Sequence, residues 1–139
     1  MRIFLDTNIL FDALLQRDPW KDAAQAIVTA STAGQVEAII SSLTVANLYY
    51  VGRKLLGKPR ALNAVRECLA NFEIAAVDRD ALEHAARSAG VDFEDQIQLA
   101  VAQAANVVAI VTRDRQGFAA GTIPILGPQE FLQSLTTNK

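Results

Sequence analysis

Three aspartates are the residues of this 139-residue chain whose type and position invite chemistry. Asp6 follows the apolar run Ile3-Phe4-Leu5 and precedes the small polar pair Thr7-Asn8. Asp95 stands in the acid-rich opening Asp92-Phe93-Glu94-Asp95 of a helical pattern, and Asp114 ends Thr112-Arg113-Asp114 after another apolar run. Each has an ordinary structural reading: Asp6 as a helix cap, Asp95 as a first-turn acid favoured by the helix dipole, Asp114 as a turn residue. The set carries more than its members. Carboxylates gathered without histidine or cysteine are oxygen ligands for a hard cation. Mg²⁺ or Mn²⁺ held by a few carboxylates, with waters completing the shell, is the usual arrangement where phosphate is the substrate.

The elements that must position these groups are legible as apolar runs. Ile3 to Leu5, Val36 to Ile40, Ile74 to Val77 and Val107 to Val111 read as strands buried on both faces, with a weaker fifth at Thr122 to Leu126. Between them lie helical patterns at Ile9 to Gln16, Trp20 to Ala33, Leu43 to Leu56, Pro59 to Asn71, Ala81 to Ala89, Asp92 to Asn106 and Gln129 to Leu135. Gly90 punctuates the end of the fifth. Strand and helix alternate with short connections, which predicts an α/β chain: a three-layer α/β/α sandwich around one parallel sheet of four or five strands, a single domain over residues 1–139. In such a sheet the strand ends Asp6, Ser41-Ser42, Asp78 and Thr112-Arg113-Asp114 all fall on one rim, where ligands of open α/β sheets bind.

Other polar residues read less sharply. Asn47 has Leu43, Tyr50 and Val51 as its helical neighbours, and a buried amide on an apolar face needs a partner; a structural hydrogen bond and a site role both fit. His84 reads as a surface histidine, Trp20 and Phe11 as core, and the single Cys68 as a buried structural thiol. No glycine-rich nucleotide loop, Cys/His cluster or internal repeat is present, which argues against dinucleotide folds, P-loop enzymes and zinc modules. No apolar run reaches the roughly 18 residues of a membrane span, and the N-terminus lacks a secretory pattern. A cytoplasmic protein without membrane contact is the expectation. The net charge of −2 is unevenly spread. Arg53, Lys54, Lys58, Arg60 and Arg66 fall in a stretch without an acid from Ala38 to Arg66, while acids gather at Asp78 to Glu83 and Asp92 to Asp95. That asymmetry fits either a basic face for a polyanion or a solvated helix end.

In four pieces taken in order, the chain resembles the PIN domain family, and most closely its VapC-like branch. They are Leu5-Asp6-Thr7-Asn8, Ser41-Ser42-Leu43-Thr44-Val45-Ala46-Asn47, Asp92-Phe93-Glu94-Asp95-Gln96 and Thr112-Arg113-Asp114. The resemblance implies strand order 3-2-1-4-5, which sets the first and fourth strands side by side, and an Mg²⁺/Mn²⁺-dependent endoribonuclease acting on single-stranded RNA. Asp6, Asp95 and Asp114 match the family's acidic positions and Thr112 its small polar residue, with Asn8 supporting and Asp92 a further acid at the site edge.

One position departs from the pattern. Where many relatives carry glutamate, this chain has Asn47, which can offer an oxygen but brings no charge and is a poor base; Glu94 and Asp92 are candidates to make up that charge. In the scheme implied, Asp6 is the central ligand, Asp95 and Asp114 hold the ion directly or through water, and Asn47 orients a water. Arg53, Lys54, Lys58 and Arg60 track the RNA backbone, with Arg113 and Arg115 nearer the cleft. The resemblance further implies a small antitoxin-like partner, and surplus apolar surface at Trp20, Tyr49, Tyr50 and Val51 points to a homodimer. The alternatives are a PIN domain that binds RNA or protein without cutting, and a phosphatase. The latter is disfavoured because Asp6-Thr7-Asn8 lacks a second aspartate two residues on.

Overall fold

The computed structural model describes residues 1–88, 92–119 and 121–137. The apolar runs form strands β1 (Arg2–Leu5), β2 (Glu37–Ser41), β3 (Glu73–Ala75), β4 (Ala109–Val111) and β5 (Ile125–Leu126). All pair in parallel in the order β3-β2-β1-β4-β5. Alternation along β1 divides the core in two. Ile3 and Leu5 face a layer built from α1 (Thr7–Leu14), α2 (Lys21–Thr32), α3 (Ser42–Leu56), α4 (Lys58–Asn71) and α7 (Pro128–Thr137). Phe4 faces the other way, onto α5 (Arg79–Arg87), α6 (Phe93–Ala104) and the short 3₁₀ turn Gln116–Phe118. The result is the expected three-layer sandwich. No helix among the described residues is long and apolar enough to cross a membrane.

The strand order does the work that matters for the site. β1 lies between β2 and β4, with Phe4 in register with both Ile39 and Ile110. The Asp6 amide continues the ladder by donating to the Val111 carbonyl at 3.1 Å. Asp6 and Thr112 are thereby neighbours although 106 residues separate them.

Several boundaries differ from the sequence reading, each for a local reason. β3 begins at Glu73 rather than Ile74 because that carboxylate accepts from Arg2, which also reaches Glu37 on the intervening strand. β4 begins at Ala109 rather than Val107, since Val108 is 55% exposed. The first helix starts at Thr7, two residues early, because the Asp6 carboxylate accepts from the Thr7 amide as its cap. Asp92 is the N-cap of α6, as its type and position lead one to expect, accepting from the Asp95 amide, and the helix itself begins at Phe93. The expected helix end at Ala89 and Gly90 falls outside the described residues. Phe11 and Cys68 are buried as expected, and burial pushes the Cys68 thiol up to about 11, which suits an inert packing role. Trp20 is not core. It is 42% exposed, with the Arg113 guanidinium 3.8 Å above its ring centre.

Candidate active site

On the rim above β1 and β4, Asp6, Asp95 and Asp114 line one cleft of about 210 Å³ together with Thr7, Asn8, Phe11, Arg17 and Gln98. Asp6 sits deepest, 6% exposed. Its Oδ1 accepts from the Thr7 amide at 2.8 Å and its Oδ2 from the Thr112 hydroxyl at 2.7 Å. Thr112 joins two of the aspartates, because its Oγ1 also accepts from the Asp114 amide at 2.9 Å and from Asn8 Nδ2 at 3.3 Å. The cap reading and the site reading of Asp6 are thus compatible: one oxygen caps α1, and the residue still faces the cleft.

Asp95 arrives from the first turn of α6, its own amide fixed by the Asp92 carboxylate at 2.9 Å. Gly117 lets it approach Asp114. A Cβ at Gly117 would stand 2.5 Å from Asp95 Oδ2 and 3.3 Å from Asp114 Oδ2, so the two carboxylates flank the same point in space. Asp114 itself is exposed, and its Oδ1 accepts weakly from the Gly117 amide at 3.4 Å.

The electrostatics follow from this crowding. Burial raises the Asp6 carboxyl above the ordinary range, against the hydrogen bonds from Thr112 and Thr7, and Asp114 adds to the rise. Asp95 is pushed up to about 6, first by burial and then by the charges of Asp6, Asp92, Asp114 and Glu94. Two carboxyls raised by burial and by their acidic neighbours mark a pocket short of positive charge. The donor chemistry, carboxylates and amide oxygens without sulfur or imidazole, fits Mg²⁺ or Mn²⁺. Among the described residues, no three acidic, histidine or cysteine side chains are gathered tightly enough to hold a metal ion unaided. A fit therefore requires waters between ion and protein, which is how Mg²⁺ is ordinarily bound by one or two carboxylates.

Not every expected site residue is brought there. Asn47 is half-buried on α3, where only Leu43 reaches the cleft. Asp92 is exposed and serves as a cap. Arg53, Lys54, Lys58 and Arg60 are exposed at the α3–α4 corner, away from the cleft lining. Arg113 is not free to follow RNA: its Nε and Nη2 donate to Asp12 at 2.6 and 3.1 Å, and Asp12 is completely buried. Arg115 is paired with Glu130 and donates to the Ile125 carbonyl. The cation that does line the cleft is Arg17, lying over the Phe11 ring at 5.1 Å. Sequence reasoning missed it, along with Asp12 and Gln98. Gln98 had a readable signal, since Gln96 and Gln98 interrupt an otherwise apolar helix and both are buried.

Comparison with known proteins bears on this geometry. No curated protein sequence matches the chain. Among solved structures it is similar to VapC20 of Mycobacterium tuberculosis, described as a Sarcin-Ricin loop cleaving toxin, with 19% identity, TM-score 0.70 and coverage of 87% of this chain and 96% of that one. It is similar to VapBC2 of Rickettsia felis bound to a fragment of promoter DNA, with 18% identity, TM-score 0.66 and coverage of 91% and 98%. A toxin-antitoxin complex of Klebsiella pneumoniae matches at 24% identity and TM-score 0.66, over 91% and 97%. Identities at this level establish a shared fold. The family rests on a sequence-level match: the PIN domain model fits residues 2–116, a span that contains all three cleft aspartates, and the chain belongs to the PIN domain family.

Proposed function

We propose that this chain is an Mg²⁺- or Mn²⁺-dependent endoribonuclease that hydrolyses phosphodiester bonds in single-stranded RNA, and that it is the toxin of a toxin-antitoxin pair. The observation that carries the reading is the cleft lined by Asp6, Asp95 and Asp114, in which burial and neighbouring charge raise the Asp6 and Asp95 carboxyls above their ordinary range. A divalent ion bound there supplies positive charge against a scissile phosphate and lowers the pKa of water. The residues of the chain do the rest. Thr112 and the Thr7 amide hold the Asp6 carboxylate rigid at the cleft floor. Asp95 and Asp114 bind from the side where Gly117 leaves room, and Arg17 faces the incoming phosphate. Arg53, Lys54, Lys58 and Arg60 attract the backbone at longer range. Arg113 and Arg115 brace the loop through Asp12 and Glu130.

An antitoxin partner is supported by the similar complexes, and a homodimer through α2–α4 by Trp20, Tyr50, Leu55 and Leu69, each more than 40% exposed. The test is cleavage of single-stranded RNA by protein purified to remove contaminating nuclease. EDTA should abolish it, Mn²⁺ should restore it, and Asp6→Asn from an identical preparation should be at least about 100-fold slower. Cleavage that persists in both EDTA and Asp6→Asn contradicts the proposal.

One observation favours a second reading, a PIN domain that binds RNA or protein without cutting: α3 brings no carboxylate to the cleft, with Asn47 outside its lining. Metal separates the two: a nuclease cleaves single-stranded RNA once Mn²⁺ is supplied, whereas a pure binding module retains its RNA or protein partner in EDTA and leaves RNA intact with Mn²⁺ present.

A further inference from the structure

Behind the Thr7 and Gln98 wall of the cleft lies a buried polar cluster that helix capping explains only in part, Ser41 being the cap of α3. Gln98, 2% exposed in the middle of α6, donates from Nε2 to the Thr7 hydroxyl at 2.7 Å and to the Thr44 hydroxyl at 2.8 Å. Those two hydroxyls are 2.7 Å apart, and Thr44 also meets the Ser41 hydroxyl at 3.3 Å. One amide therefore ties the starts of α1 and α3 to α6, the elements that follow β1 and β2 and the helix that carries Asp95. Three hydroxyls and one NH₂ group satisfy one another in this cluster.

The remaining end of the amide is left over. Gln98 Oε1 is buried and has no hydrogen-bond partner among the described residues, although Gln98 lines the cleft. A buried carbonyl without a donor is costly, and native proteins satisfy such groups with ordered water where the surroundings are polar. Asp95 lies one turn earlier on the same face of α6. A water held by Oε1 has its second hydrogen available for a cleft carboxylate and its oxygen available for a cation.

The geometry points to Gln98 as a positioning residue of this site: its NH₂ group clamps α6 to α1 and α3, and its carbonyl oxygen fixes a water in the hydration shell of the divalent ion. The inference rests on the cleft being the metal site. It adds a residue that makes no claim on ion or substrate directly and acts through the water it orients. Outer-shell partners of this kind typically change metal affinity by about 10–100-fold when removed.

The test is Mn²⁺ titration by calorimetry, with thermal unfolding of each variant in parallel. Gln98→Met, close in size and without polar atoms, should lose about tenfold in Mn²⁺ affinity. Gln98→Glu keeps the acceptor oxygens and should bind Mn²⁺ at least as tightly as wild type. Thr44→Val removes the α3 arm of the clamp but leaves the bond to Thr7 and Oε1, and should lower the unfolding temperature while keeping Mn²⁺ affinity within about twofold. If Gln98→Glu loses affinity as Gln98→Met does, or if Thr44→Val loses as much, the water-orienting role is overturned. Should Gln98→Met not fold, the Glu and Val variants decide the matter between them. A wild-type protein that binds no Mn²⁺ overturns this inference and the metal-site reading together, whereas normal Mn²⁺ binding by Gln98→Met overturns the inference alone.

Discussion

Asp95 shows how the site competes with the fold. Its carboxyl titrates near 6 instead of 3.8 because burial and four neighbouring acids oppose its charge. The folded state therefore holds the proton more tightly than the unfolded chain. Stability from this group is fully present below about 4 and is lost as pH rises through about 6. Asp95→Asn removes the dependence. Without metal, the variant should melt close to wild type near pH 4 and about 2–5 °C above it at pH 7.5, a gap that thermal denaturation at several pH values measures directly. A variant that melts below wild type at pH 7.5 would mean that the carboxylate is well paired there. Asp6 is under similar pressure, but two hydrogen bonds work in its favour. Those bonds fix the Asp6 carboxylate, and the ion proposed for the cleft would supply the counter-charge that Asp95 lacks.

At the scale of elements, the loop after β4 is held from both sides. Thr112 binds Asp6, and Arg113 reaches back 101 residues to the buried Asp12 on α1 while stacking on Trp20. Asp114 follows these two anchors directly, its amide donating to the Thr112 hydroxyl. Arg113→Ala would leave the Asp12 carboxylate buried without its cation, and loss of one partner of a buried pair costs about 3–5 kcal/mol. Chemical denaturation should show that loss; a change below about 1 kcal/mol would show that Asp12 finds water instead. The sequence revealed the aspartates because each sits where an apolar period stops or a helix begins, a local signal. It could not reveal that Arg113 was committed to Asp12, since that pairing exists only once β1 and β4 are adjacent. The same limit explains Trp20, which looked like core by its type and instead gives a face to Arg113. Gly117 was invisible for another reason: its use is the absence of a side chain against two carboxylates. Gln98 was within reach, because an amide in an apolar helix needs a partner, the argument that was applied to Asn47.

For the whole molecule, the order β3-β2-β1-β4-β5 brings acids scattered along the chain into one cleft. The fold was legible because five apolar runs alternating with helical periods leave few topologies, and the four motif pieces selected one of them. The side-chain geometry at the rim was not, because it depends on pairings across the full length of the chain. Asp6, Asp95 and Asp114 together are the site we propose for a divalent cation. Calorimetric titration of Mn²⁺ into wild type beside Asp6→Asn tests it most directly. Wild type should bind saturably and the variant at least about tenfold more weakly; equal binding by both, or none by wild type, would mean that the three aspartates do not form such a site.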